Sequence, residues 1–104
     1  MKSVMVRYKV KAERASENVS YISKVFEQLK LEMPTGLHYA TFRLNDGVSF
    51  VHIASHDTTD GTNPLTALSA FKDFTAQIQD RCEEPPVTVE LNPVGTYRFF
   101  AGEE

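Results

Sequence analysis

An α+β domain of order β-α-β-β-α-β is predicted for this 104-residue chain by three observations. Period-two alternation marks the N-terminal segment and residues 87–91. Two longer segments repeat apolar residues at helical spacing, and an Asn-Asp-Gly joins two aromatic-rich extended runs between them. The length fits one domain spanning residues 1–104, near the size at which a partner subunit helps to cover apolar surface.

Val4, Val6, Tyr8 and Val10 alternate with Met5, Arg7, Lys9 and Lys11, which gives the first strand one apolar face. From Glu13 to Met33, the residues Val19, Ile22, Phe26, Leu29 and Met33 recur at three and four. That is the stripe of an amphipathic helix, stopped by Pro34 and Gly36. Runs 37–44 and 48–55 read as the second and third strands, with Asn45-Asp46-Gly47 as a hairpin turn. Residues 56–64 lack periodicity and are expected to form a loop. Leu68, Phe71, Phe74, Ile78 and Cys82 define a second helix, expected to end before Glu83-Glu84-Pro85-Pro86. Val87, Val89 and Leu91 then begin a last strand. It is expected to break at Pro93, because proline has no N–H for a ladder, and to resume over 94–100.

This order is the split βαβ, or ferredoxin-like, arrangement, with two helices on one face of a four-stranded antiparallel sheet. The opposite face is left bare. Strand three nevertheless has apolar side chains on both sides, Val51 and Ile53 on one and Val48, Phe50 and Ala54 on the other. A large uncovered apolar face marks an interaction surface. A homodimer packed sheet against sheet is the expected cover.

Composition excludes several classes. With 41% hydrophobic and 24% charged residues the chain is too apolar to be disordered, and its net charge of -3 gives no basis for binding a phosphate backbone. No nucleic-acid partner is expected. No window approaches the ~18 apolar residues of a membrane helix, and MKSVMVRYKV is unlike a signal peptide, so no membrane association and a cytoplasmic location are expected. Cys82, the single cysteine, sits in an apolar pattern and reads as a small core residue.

The element order, the segment PTGLHYATFRLNDGVSFVHIASH, the helix NPLTALSAFKDFTAQIQDRC and the terminal VGTYRFF together resemble the dimeric α+β barrel superfamily, near the antibiotic biosynthesis monooxygenase-like proteins. The resemblance covers essentially the whole chain. It implies a two-fold dimer whose sheets close into a barrel, with a cavity between sheet and helices in each subunit. It also implies oxidation of a small aromatic or quinone-like compound without flavin, metal or other cofactor. The haem-degrading relatives resemble one another in an Asn, Trp and His set, which a chain lacking tryptophan does not reproduce.

Candidate site residues depend on the hairpin register. A two-residue type I′ turn at Asp46-Gly47 sets Thr41 opposite His52, so that Tyr39, Thr41, Arg43, Phe50 and His52 share a face. A three-residue loop with a bulge at Gly47 instead groups His38, Ala40, Phe42, Phe50 and His52. The first register leaves one face purely apolar and is preferred. In either, His52 lies among aromatic residues, where burial keeps an imidazole neutral and able to take a phenolic proton. A core or interface histidine bonded to a carbonyl or tyrosine is the competing reading. Arg43 is the candidate anion partner, or else one half of a salt bridge across the dimer. Tyr8, Tyr39 and Phe50 are the candidate walls for a small aromatic ligand. His52 and His56, roughly 13 Å apart along a strand, cannot share a metal ion, and no metal site is expected.

Overall fold

The computed structural model describes residues 2–57 and 62–99. Its four strands are β1 (Lys2–Val10), β2 (Leu37–Arg43), β3 (Ser49–His56) and β4 (Cys82–Leu91). The helices are α1 (Ala15–Glu32), α2 (Ser69–Ala76) and the single turn α3 (Ile78–Arg81), with short 3₁₀ turns at Ala12–Arg14 and Pro64–Ala67. The strands form one sheet in the order β2-β3-β1-β4 with antiparallel neighbours, the ferredoxin-like α+β topology the sequence predicts.

The alternation of β1 decides the layering. Tyr8 and Val10 are buried, Val4 and Val6 pack against the same core, and Ile22 and Val25 of α1 with Phe74 of α2 close over them. The buried side of α1 is turned from the expected stripe, running through Ala15, Asn18, Ile22 and Val25. Met33 is exposed because the helix has already ended there, with its φ at 44° in the left-handed region and its N–H bonded to Leu29 O.

The C-terminal half departs from expectation in three ways. The second helix does not run to Cys82; it breaks at Gln77, and Cys82 opens β4, paired with Val10. Helical periodicity cannot separate one long helix from a helix and a following turn, because both keep Phe74 and Ile78 inward. Pro85 and Pro86 therefore lie inside a strand, which is possible because β4 is the sheet edge and its register slips twice between Arg7 and Val10. Residues 94–99 form no strand, and Phe100 lies outside the described residues.

The hairpin has the preferred register, Thr41 opposite His52 and Arg43 opposite Phe50, but not the expected type I′ turn. Leu44 N–H donates to Ser49 O and Gly47 N–H to Leu44 O, while Gly47 has a positive φ and Asp46 does not. The Asp46 carboxylate accepts from the N–H groups of Val48 and Ser49 and from the Ser49 hydroxyl. It caps the loop from within, a local side-chain solution that competes with the two-residue turn. Of the loop expected over 56–64, His56 still belongs to β3, residues 58–61 lie outside the described residues, and Asn63 caps the turn that follows.

Candidate active site

His52 sits in the middle of β3 between Val6 and Thr41, with its ring on the helix side of the sheet. Tyr8 and Tyr39 are not opposite it. Each lies on a diagonal of the ladder, where long aromatic side chains still reach. Tyr8 Oη is 2.8 Å from Nε2, Tyr39 Oη is 2.6 Å from Nδ1, and Thr41 Oγ1 is 3.0 Å from Nδ1. Tyr8 stacks on the imidazole at 5.3 Å and Phe74 closes on it from α2 at the same distance.

Burial dictates the chemistry of this group. His52 is 5% exposed, and loss of solvent pushes its pKa down to about 4, so the ring is neutral near pH 7. The same burial raises Tyr39 to about 12 and Tyr8 higher still, so both phenols keep their protons. Burial also raises the Cys82 thiol, opposed by the Arg81 charge, which leaves it a poor nucleophile.

Tyr8, Tyr39 and His52 line a cavity of about 270 Å³ between the sheet and the helices. Its other walls are mostly apolar, among them Val4 and Val6 from β1, Phe71 and Phe74 from α2 and Ile78 from α3. Apolar walls with a few convergent polar groups are the usual form of a small-molecule site. Larger hollows of about 400 and 450 Å³ lie on the opposite, uncovered face of the sheet.

Two candidate residues are not brought to this cavity. Arg43 is exposed at the hairpin end, where its Nε donates to Gly47 O at 2.9 Å and its guanidinium lies 5.8 Å from the Phe50 ring. It stabilises the turn and does not face the His52 nitrogens. Phe50 is buried behind Tyr8, stacked on it at 5.6 Å, and supports the wall without lining it. Among the described residues, no three His, Cys, Asp or Glu side chains are grouped to hold a metal ion.

Two residues not anticipated from sequence complete the site. Asn18 Nδ2 donates to Tyr8 Oη at 2.9 Å, and Arg81 Nε donates to Asn18 Oδ1 at 3.2 Å. Arg81 is fully buried, donates from Nη2 to Phe74 O, and stacks its guanidinium on Tyr21 and Phe74. Its Nη1 is the one buried side-chain polar atom without a partner among the described residues. The signal available for both was a polar residue at an apolar-stripe spacing, Asn18 between Ala15 and Ile22, and Arg81 three after Ile78.

No protein-family model matches the sequence, and no curated protein matches it. Solved structures do. A crystal structure of an antibiotic biosynthesis monooxygenase superposes with a TM-score of 0.74 at 18% identity, covering 91% of this chain and 100% of that one. The chain has the fold of the antibiotic biosynthesis monooxygenase-like proteins. SnoaB, a cofactor-independent oxygenase from Streptomyces nogalater, is similar at a TM-score of 0.67 and 15% identity, with 93% and 96% coverage of this chain and that one. A Nitrosomonas europaea protein of unknown function is similar at 0.70 and 10% identity, covering 92% of this chain and 91% of that one. At these identities the likeness is one of fold, and a fold hosts many chemistries. No helix among the described residues is long and apolar enough to cross a membrane.

Proposed function

We propose that this chain is a monooxygenase-like enzyme that takes a small aromatic phenol, hydroquinone or anthrone into the cavity beneath the helices and activates it for direct reaction with dioxygen, without a cofactor. One observation carries the reading: a neutral imidazole held between two tyrosine hydroxyls on the wall of an apolar cavity of about 270 Å³. Removing a phenolic proton gives an electron-rich phenolate or enolate, which is the form that transfers an electron to oxygen. For an anthrone the ring CH₂ becomes C=O, one oxygen atom enters the carbon, and the other leaves as water.

The proton affinity of His52 sets the energetic demand. A phenol in water titrates near 10, well above the lowered His52, so full proton transfer to the imidazole is uphill. The phenolate beside the imidazolium offsets part of that demand by attraction in a low-dielectric site. The test is oxygen uptake with a panel of hydroquinones, naphthols and anthrones. Turnover that disappears in His52→Ala supports the assignment, and turnover unchanged in that variant defeats it.

A second reading, a non-catalytic dimer that binds a small molecule, has its own support. Both ring nitrogens of His52 already have partners, as in a structural core histidine. Aromatic ligands that bind stoichiometrically and are recovered unoxidised would favour it. In both readings the partner of the uncovered sheet face is a second copy of the chain. Exposed Phe42, Val87 and Val89 on that face support this.

A further inference from the structure

The donor-acceptor inventory fixes a direction along the buried chain from Arg81 to Tyr39. An arginine side chain has only donors, so its Nε can meet only the oxygen of the Asn18 amide. That contact fixes the amide orientation and presents Asn18 Nδ2 as a donor to Tyr8 Oη. With its oxygen accepting from Asn18, Tyr8 has one proton to give, and the remaining partner is His52 Nε2. A neutral imidazole carries one proton. Placed on Nδ1, it is donated toward Tyr39 Oη and Thr41 Oγ1 and leaves Nε2 to accept the Tyr8 proton.

The geometry points to Asn18 and Arg81 as positioning residues that hold His52 in the Nδ1–H tautomer and thereby make Tyr8, and not Tyr39, the entry for the substrate proton. The catalytic part of this inference rests on His52 being the base; the tautomer does not. Both tyrosines line the cavity and either could touch a bound phenol. Only Tyr8 is attached to the nitrogen with a free lone pair. In the step, the substrate O–H proton passes to Tyr8 Oη as the Tyr8 proton passes to Nε2, leaving a phenolate, a neutral tyrosine and an imidazolium. Tyr39 Oη accepts the hydrogen bond from Nδ1–H and has no empty nitrogen to pass a proton to. This role also gives a reason for a buried arginine with no ion-pair partner among the described residues, whose desolvation is offset by its bonds to Asn18 Oδ1 and Phe74 O and by the Tyr21 and Phe74 rings.

The test begins with the imidazole ¹⁵N spectrum of the intact protein, with His52 assigned by comparison with His52→Gln. The expected pattern has Nδ1 at the N–H frequency and Nε2 at the lone-pair frequency; a proton on Nε2 overturns the inference. Asn18→Asp is nearly isosteric and reverses the polarity. Its carboxylate pairs with Arg81 and accepts the Tyr8 proton, so Tyr8 must accept from Nε2 and the tautomer should switch. A folded Asn18→Asp protein with an unchanged pattern overturns the role of Asn18. Arg81→Met frees the Asn18 amide to flip and supplies the same test should Asn18→Asp fail to fold. A second tautomer is expected there, and a single unchanged one overturns the role of Arg81.

Kinetics separate this inference from the function it rests on. With any phenol that the uptake assay finds to be turned over, Tyr8→Phe and Asn18→Asp should each lower kcat on the order of 10²-fold with little change in KM, and Tyr39→Phe should lower it far less. Equal losses in the two tyrosine variants overturn the Tyr8 route while leaving His52 as base. A tautomer that responds as expected in a protein that oxidises no phenol removes the base and leaves the positioning intact.

Discussion

The two faces of the sheet are built from the same four strands and have opposite characters. Beneath the helices, polar side chains of the sheet, α1 and α3 are tied into one network from Arg81 through Asn18, Tyr8 and His52 to Tyr39 and Thr41. On the other side, Phe42, Val87 and Val89 are exposed, with no helix above them. Folding of one chain therefore covers the first face and leaves Phe42, Val87 and Val89 of the second exposed. Burial generates the chemistry, since the pKa of His52 is displaced only because helices exclude water from it. The uncovered face contributes apolar area whose value depends on what covers it.

The contrast predicts its largest energetic effect under the helices. Phe50, 1% exposed and stacked on Tyr8, should lose roughly 3–5 kcal/mol of stability on truncation to Ala, measured by urea unfolding of the pure protein. A loss below about 1 kcal/mol would mean that the aromatic cluster is not the core. Second in size is the pH response of His52. Its pKa falls from 6.5 to about 4 on folding, so the unfolded chain binds the additional proton and stability declines as pH drops between those values. The decline should approach ~3 kcal/mol by pH 4 and level off below it, where both states are protonated. In His52→Gln that segment of the stability profile should flatten. Asp46, held down to about 2 chiefly by the Ser49 hydroxyl, loses its contribution only at lower pH, so the two groups are separable on one titration.

Legibility from sequence follows the same division. The alternation of β1, the helix stripes and the Asn-Asp-Gly turn specify which residues point to one core, and this suffices for the element order and for placing Tyr8, Tyr39 and His52 on one side. What sequence does not specify is which polar groups meet across elements. Asn18 and Arg81 are 63 residues apart and join only because α3 is a separate turn after a break at Gln77, a break that helical periodicity conceals. Arg43 shows the converse error. It shares the His52 face by register, but one ladder step beyond Thr41 brings it to the hairpin end, where it donates to the Gly47 carbonyl. Alternation assigns a side chain to a face, whereas its depth along the strand decides whether it is covered.

The smallest expected effect on the isolated chain lies on the uncovered face, and it is the most diagnostic of assembly. Phe42 is 51% exposed, so within one subunit Phe42→Ala should cost under ~1 kcal/mol, far less than the same change at Phe50. If a second copy covers this face, the folded state is linked to association, and the unfolding midpoint must rise with protein concentration. Phe42→Glu places a charge where the two sheets would meet. It should remove that concentration dependence and give a monomer in sedimentation while leaving the His52 pH response unchanged, because that response originates beneath the helices. A wild-type midpoint independent of concentration over a hundred-fold range would count against a sheet-to-sheet dimer. It would leave Phe42, Val87 and Val89 as an apolar face that some other partner must cover.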